Sequence, residues 1–318
     1  MRWNAPKEIP GRGRRAILRG VATEAPMLVA VPNLSEGRDL HKLERLQASV
    51  APARLLDVHT DPDHNRSVFT LAARQGELAE GLAALASAAV DELDLRDHEG
   101  VHPHVGALDV MPVVWLDEAQ RGAACVEALT AAALVGADAP VPVFLYGDLA
   151  TRPEHAERAW IRRGGPNELA RRMEAGELVP DYGPRRAHPS AGATLATARP
   201  PLLAFNVDLD TDDVDLAKSI ASQLRESGGG PPGVRALGLY LESRGRAQVS
   251  TNVHDHRAVP LREIVERVRA RAPVAEAELI GLAPRAAFEG FPEDVPLRGF
   301  SPERHILEEA LTAMEDSQ

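Results

Sequence analysis

The chain has 318 residues, which is enough for two hydrophobic cores, and its 44% hydrophobic and 26% charged residues exclude a disordered polymer. Asp and Glu number 47 against 36 Lys and Arg, a net charge of −11, so we expect neither nucleic acid nor an anionic membrane as a partner. The single cysteine, Cys125, excludes an intrachain disulfide and a zinc site built from several cysteines, and indicates a cytoplasmic protein.

The first 26 residues differ from the rest of the chain. They contain six basic side chains but no apolar segment, so they do not have the pattern of a secretory signal. We predict a disordered N-terminal arm over residues 1–26, or an over-long start before Met27. No later stretch approaches the roughly 18 consecutive apolar residues of a membrane span, so we expect a protein that is not embedded in a membrane.

An alternation of strand and helix patterns begins at Met27. Apolar runs bounded by turn residues predict strands, and apolar residues three and four positions apart predict helices. In chain order the elements are a strand at 27–31, a helix at 39–50, strands at 53–59 and 66–72, a helix at 77–93 and a strand at 107–115. This βαββαβ order is that of the ferredoxin-like unit.

The second half of the chain repeats this order. A helix at 119–136, a strand at 141–146 and a connector at roughly 147–198 come first; the pattern then predicts strands at 201–207, 234–241, 246–253 and 275–282, with helices at 213–226 and 260–271. We therefore predict an α+β fold of two ferredoxin-like subdomains. The first covers residues 27–192 and the second covers residues 193–318.

Three polar loops of the first unit are expected at one end of its sheet. In a βαββαβ unit the first two strands run parallel and the other two run in the opposite direction. The loops at 33–37, 60–65 and 96–106 therefore meet. Most of the unusual polar sequence of the first half lies in these loops, which predicts one site there.

Three histidines, His98, His102 and His104, fall within seven positions of the third loop. Histidine titrates near neutral pH, and the neighbouring glycines and proline favour an irregular backbone, which suits a general acid or base. With Asp97 or Glu99 the same side chains would offer donors for a metal ion, although the spacing matches no zinc signature. An ordinary polar surface loop is a third interpretation.

Other polar residues indicate binding. Arg66, at the start of a strand, has the donor geometry to hold a carboxylate, and the strand segment 248–252 carries four polar residues, which favours hydrogen bonding in a groove. Asp57 and His59 share one face of their strand, so we expect at least one of them to be partly buried. Turn chemistry, a salt-bridged strand end or an exposed sheet edge would also explain these residues.

Taken together, several segments resemble the formiminotransferase domain family, in one collinear order from about residue 27 to 310. They are Val31–Gly37, Leu55–Val58, Asn65–Val68, His98–Pro103, Gly106–Val110, Ala204–Asn206 and Ala247–Asn252. The resemblance implies two subdomains packed around a central ligand groove or tunnel, and a homodimer. It also implies transfer of a formimino group from N-formimino-L-glutamate to the co-substrate tetrahydrofolate, which yields 5-formiminotetrahydrofolate and glutamate in histidine degradation.

The resemblance also assigns candidate residues. It implies that His102 is the acid/base catalyst and that the loop at 183–192 contacts the folate. The candidates for substrate and folate binding are Asn33, Asp57, Arg66, Gly183, Pro184, Arg185, Arg186, Ser190 and Gly192. Three positions depart from the residues usual in the family, His59, His104 and Ala191, and they bear on the identity of the donor and the acceptor.

Two other functions stay open beside the transferase. A metal-dependent amidine or amide hydrolase would use His98, His102 and His104, whereas the predicted transferase needs no metal. A non-catalytic folate-binding relative would keep the ligand and lose turnover. In each case we expect small molecules as the ligands.

Overall fold

The structure, a computed structural model, describes residues 25–316. The predicted arm over residues 1–26 lies outside the described residues except for its last two positions. Within the described range the chain forms two β-sheets and nine α-helices, which confirms the predicted α+β class. No helix in this range is long and apolar enough to cross a membrane.

Seven strands form the first sheet: β1 (Met27–Ala30), β2 (Asn33–Leu34), β3 (Arg54–Asp61), β4 (Arg66–Arg74), β5 (Leu108–Val114), β6 (Val143–Leu145) and β7 (Thr194–Arg199). β1 and β2 follow one another between β4 and β5, on either side of Pro32, which has no N–H for the ladder. The order across the sheet is β3, β4, β1 with β2, β5, β7 and β6.

Three helices cover one face of this sheet: α1 (Leu40–Ala48), α2 (Glu77–Glu92) and α3 (Arg121–Asp138). They pack against every second residue of the strands, such as Phe69 and Leu71 of β4. Asp39 caps α1, and the buried carboxylate of Glu127 accepts hydrogen bonds from backbone N–H groups at the start of α2. All three helices agree with the predicted positions to within a few residues.

The segment predicted as a connector contains two helices that the sequence pattern did not reveal. They are α4 (Arg158–Arg162) and α5 (Gly165–Glu174). Leu169 of α5 belongs to the same apolar cluster as Val110 and Leu195, which lie on the sheet face opposite α1, α2 and α3. Both faces of the first sheet are therefore covered near β5 and β7.

Strand β7 also lies inside the predicted connector. It runs parallel to β5 and to β6 and so belongs to the first sheet. The change from the first sheet to the second therefore falls between Arg199 and Leu203. The predicted boundary at residue 192 does not coincide with this change, because the strand that follows it completes the first sheet.

Four strands form the second sheet: β8 (Leu203–Leu209), β9 (Val234–Leu241), β10 (Arg246–Val253) and β11 (Val274–Ile280). They are antiparallel in the order β11, β8, β10 and β9, and α6 (Val214–Leu224) and α7 (Leu261–Arg269) pack on the sheet. The predicted bounds of β9 and β10 are confirmed. The other four predicted elements of this half differ from the structure by no more than two residues at each end.

The C-terminal helices α8 (Pro302–His305) and α9 (Leu307–Glu315) follow β11. Leu307 and Met314 of α9 pack with Val29, Ala72 and Val114 of the first sheet. The end of the described chain therefore stabilises the first half, although the prediction placed residues 193–318 in the second subdomain.

Candidate active site

The three predicted loops meet beside the start of β4, and Asn65 joins them. Its Oδ1 atom accepts a hydrogen bond from the backbone N–H of Gly37 at 3.0 Å, and its Nδ2 atom donates to the carbonyl of Glu99 at 3.0 Å. Asn65 has a φ of 45°, a left-handed conformation in which asparagine is enriched. The prediction that these loops share one end of the sheet is confirmed.

Close backbone packing brings the histidine loop against the β3–β4 turn. A Cβ atom on Gly100 would lie 2.4 Å from the carbonyl oxygen of His64, closer than real side chains approach. The backbone N–H of Val101 donates to the carbonyl of Asp63 at 3.4 Å in the same contact. Only glycine at position 100 therefore lets the two loops come so close.

A cavity of about 120 Å³ lies next to these loops and is lined by strands of both sheets. Residues two apart on a strand face the same side, so alternate positions reach it. Its polar lining residues are Asn33, His59, Asp61, His64, Arg66, His102, Arg158, Arg199, Asn206, Ser250 and Asn252. The structure thus brings His102 together with two predicted binding residues, Asn33 and Arg66.

Four buried polar atoms of the cavity residues have no hydrogen-bond partner within residues 25–316. They are His59 Nε2, Asp61 Oδ2, His64 Nε2 and His102 Nδ1. Charged groups near His59 and Asp61 lie 3.6 and 4.0 Å away, beyond hydrogen-bonding distance. Leaving a buried polar group unpaired costs about 1–3 kcal/mol. Four such atoms in one cavity indicate a site that a polar ligand completes.

His102 has the protonation state of a base. Burial lowers the pKa of its imidazole well below 6.5, and the positive charges of Arg66 and Arg162 act in the same direction. It is therefore neutral at pH 7 and able to accept a proton. The ring of His64 lies beside it, with 5.9 Å between the ring centroids.

The other two histidines of the loop do not join His102 as a ligand set. The rings of His98 and His104 contact each other with 4.3 Å between centroids, and burial lowers the pKa of His98 to about 4. Asp97 and Glu99 are exposed. In the part of the chain that the structure describes, no group of three or more His, Cys, Asp or Glu side chains is arranged to hold a metal ion. This geometry does not support the metal interpretation.

Arg66 is already paired within the protein. It directs three N–H groups to Asp109 and Asn33, at 2.8 to 3.1 Å. Asp109 is fully buried and also accepts from Arg162. Burial alone would raise the pKa of Asp109, but the charges of Arg162 and Arg66 lower it below its ordinary value. The carboxylate is therefore charged and fixes both guanidinium groups beside His102.

Asp57 is not brought together with His102. It faces a separate open cleft of about 580 Å³ beside the C-terminal helices, where Arg304 also lies. Burial raises the pKa of its carboxyl group, and the nearby His305 and Arg304 oppose this effect. His59, two residues further along β3, is the one that reaches the cavity.

The predicted folate loop at 183–192 divides into two parts. Its end supports the histidine loop, because the carbonyl of Ser190 accepts from the N–H of Leu95 at 2.8 Å and Gly192 forms a β-bridge with Gly106. Gly192 has a φ of 67°, and a Cβ atom there would lie 2.1 Å from the carbonyl of Val105, so packing alone requires glycine. None of the predicted binding residues of this loop lines the cavity; they are Gly183, Pro184, Arg185, Arg186, Ser190 and Gly192.

Sequence reasoning missed several cavity residues. Arg158 lies in the segment predicted as a connector and Arg199 directly follows it, and no pattern links two positions so far apart. His64 lies in the predicted loop at 60–65, where turn residues have a conformational explanation of their own, so no separate signal in the sequence marks its side chain. The polar segment of β10 did give a usable signal, since Ser250 and Asn252, two residues apart, both line the cavity.

Comparison with known proteins identifies the family of this chain. Residues 27–199 match the family described as formiminotransferase domain, N-terminal subdomain, and residues 204–290 match the formiminotransferase domain. Glutamate formimidoyltransferase of Streptococcus pyogenes serotype M1 is 37% identical over 297 residues, which cover 90% of this chain and 99% of that protein. The protein of the same name from Thermoplasma acidophilum is 35% identical over 272 residues, 82% of this chain and 89% of that protein.

A longer relative matches over the same region. Formimidoyltransferase-cyclodeaminase of Rattus norvegicus is 36% identical over 279 residues, which cover 82% of this chain. The match covers 51% of that protein, so the chain spans about half the length of this relative.

Proposed function

Because the chain belongs to the formiminotransferase domain family, as the resemblance predicted, we propose that it has glutamate formimidoyltransferase activity. It transfers the formimino group of N-formimino-L-glutamate to tetrahydrofolate, a co-substrate, in histidine degradation. The observation that supports this use of the site is the cavity at His102, where four buried polar atoms have no partner within residues 25–316.

His102 is the proposed acid/base catalyst. Nitrogen 5 of the folate attacks the formimino carbon, a C–N bond forms, and neutral His102 accepts the proton that leaves this nitrogen. The bond from the formimino carbon to the glutamate nitrogen then breaks, and His102 returns the proton to that nitrogen. Holding both reactants in line lowers the barrier by several kcal/mol, up to about 7–11.

The other predicted residues take supporting roles in this proposal. Asn33 and Arg66 shape the cavity wall, and Ser190 and Gly192 hold the histidine loop in place. The cavity volume of about 120 Å³ is smaller than the roughly 300–1,000 Å³ of sites that enclose a drug-sized ligand. A folate therefore extends beyond the cavity, and we propose that Gly183, Pro184, Arg185 and Arg186 contact its outer part. Asp57, in a separate cleft, has no assigned contact.

The two ferredoxin-like units, the groove between them and the homodimer are part of the same proposal. The strand orders β5, β1 with β2, β4, β3 and β11, β8, β10, β9 support two ferredoxin-like units. We propose that the ligand groove lies between these units, and that the active protein is a cytoplasmic homodimer. Light scattering on the purified protein tests the dimer directly.

A binding titration with tetrahydrofolate and a glutamate-release assay test the function. Saturable folate binding, with glutamate released from N-formimino-L-glutamate only when folate is present, is the expected result. Folate binding without release would favour the non-catalytic relative. Release without folate, accompanied by stoichiometric bound metal, would favour the amidine hydrolase.

A further inference from the structure

Two arginines of the cavity lining have no acidic partner among the described residues. Arg158 begins α4 and Arg199 ends β7, and neither forms an ion pair with any residue in the range 25–316. Arg199 donates one hydrogen bond, to the carbonyl of Pro200 at 3.0 Å. Burial lowers the pKa of Arg199 to about 10, so its guanidinium stays charged at neutral pH.

The charge around this end of the cavity is unbalanced. Arg66 and Arg162 share the single carboxylate of Asp109, and Arg158 and Arg199 add two further positive charges that no carboxylate in residues 25–316 pairs with. Even with Asp61, the carboxylate that lines the cavity itself, four guanidinium groups face two carboxylates. A partly buried positive charge is costly unless an anion pairs with it.

Arg172 shows how the same chain stabilises an arginine with a structural role. Its side chain is fully buried, it donates to the backbone carbonyls of Trp160 and Ile161, and its guanidinium lies 4.3 Å from the ring centroid of Trp160. Arg158 has no comparable hydrogen bond in the described chain. The contrast indicates that an external group completes the Arg158–Arg199 pair.

We propose that Arg158 and Arg199 form a carboxylate-binding subsite for a glutamyl group. This inference rests on the proposed function, in which both substrates carry such a group. Planar guanidinium groups bind carboxylates through two parallel hydrogen bonds. Neutral polar side chains of the second sheet, Asn206, Ser250 and Asn252, line the same cavity and supply further hydrogen bonds to the ligand. The subsite therefore binds a carboxylate that has polar groups beside it, as a glutamyl group does.

The substitution Arg158→Gln tests the subsite by calorimetric titration with L-glutamate, which does not require turnover. We expect the affinity to fall by about 10- to 100-fold, the range for a lost hydrogen-bonded charge, and Arg158→Lys to recover part of it. Arg199→Gln provides a second variant, and thermal unfolding shows whether each variant is folded. Arg163→Gln is the matched control, because Arg163 is exposed and outside the cavity.

Steady-state kinetics distinguish the two sources of the glutamyl group. If the pair holds the formimino donor, the variants raise KM for N-formimino-L-glutamate and leave KM for the folate unchanged. If it holds the folate tail, they raise KM for tetrahydrofolate but not for tetrahydropteroate, which lacks the glutamyl group. Either pattern supports the subsite.

Two results would overturn the subsite. One is a wild-type protein that binds neither L-glutamate nor the folate; the other is wild-type affinity and wild-type KM values in folded Arg158→Gln and Arg199→Gln. A wild-type protein that releases glutamate while these variants behave like Arg163→Gln would refute the subsite and leave the proposed activity intact. A wild-type protein that binds L-glutamate through Arg158 but releases no glutamate from N-formimino-L-glutamate would refute the activity and leave the subsite intact.

Discussion

At the scale of single residues, the neutral imidazole of His102 is central because it is the base of the proposed reaction. His102→Gln keeps a polar side chain of similar size and removes the titratable nitrogen. We expect kcat to fall by about 100-fold or more, while the dissociation constant of tetrahydrofolate changes little. His41→Gln is the control, because His41 is exposed and on α1. Near-normal turnover in His102→Gln would show that the assigned role is wrong.

The pH dependence of catalysis follows from the same residue. Burial lowers the pKa of His102 well below 6.5, so the neutral, active form persists as the pH falls through 6.5. The acid limb of the kcat/KM profile should therefore have an apparent pKa below 6.5. An acid limb at or above the ordinary value would contradict the buried position of the imidazole.

Asp109 should matter for stability because it is the single carboxylate between two buried guanidinium groups. Asp109→Asn leaves Arg66 and Arg162 beside a neutral amide, and we expect the free energy of unfolding to fall by about 3–5 kcal/mol. Urea denaturation monitored by circular dichroism measures this loss. Asp138→Asn, at an exposed position at the end of α3, should change stability little. Equal stability of the two variants would show that the Arg66–Asp109–Arg162 cluster does not stabilise the fold.

The sequence predicted the histidine of this site but not its arginine pair. His102 could be found because histidines cluster around it within one loop. Arg158 and Arg199 could not be found, since they meet only after β7 has joined the first sheet. Asp109 was part of a family-like segment, but its pairing with Arg66 across the sheet and with Arg162 of α4 depends on long-range packing.

At the scale of elements, the contact between the histidine loop and the β3–β4 turn depends on Gly100. A methyl group there would meet the carbonyl of His64, so Gly100→Ala should separate the two loops and lower both stability and kcat. Gly122→Ala is a matched control, because nothing lies within 4 Å of its Cβ position in α3 and alanine favours a helix. Denaturation midpoints and turnover of the two variants provide the comparison. A fully active and stable Gly100→Ala protein would contradict the close approach.

Elements with local sequence signals were predicted well, and those that depend on distant partners were not. β9 and β10 each mix buried with less buried side chains and are joined by a tight turn, and their bounds were predicted correctly. β7 is buried along nearly its whole length and pairs only with parallel strands far away in the chain. A short buried run of that kind looks like part of a connector until the sheet around it is known.

At the scale of the whole molecule, the two halves are not consecutive segments. α9 follows the second sheet in the chain but packs on the first, with Met314 against the apolar face that includes Val29. The sequence pattern predicted no helix there, and the periodicity of an amphipathic helix does not identify the sheet that it covers. The predicted division at residue 192 therefore places β7 and α9 in the second subdomain, although both belong with the first sheet.

The histidines give the molecule a predictable dependence of stability on pH. Burial lowers the pKa of seven of them: His59, His98, His102, His104, His155, His254 and His256. Below pH 6.5 the unfolded chain binds protons that the folded protein excludes, so the free energy of unfolding decreases as the pH falls. Asp57 and Glu278, whose pKa values are raised by burial, act in the opposite direction but are only two groups.

Urea denaturation at a series of pH values between 7 and 4 measures the net effect. Because the pKa values of His98 and His254 fall to about 4, we expect the midpoint to decrease throughout the interval from 6.5 down to 4. His98→Gln removes one of the responsible groups and should make the decrease shallower, whereas His41→Gln, at an exposed position, should leave it unchanged. A midpoint that stays constant or rises over this interval would show that the buried carboxyl groups outweigh the histidines.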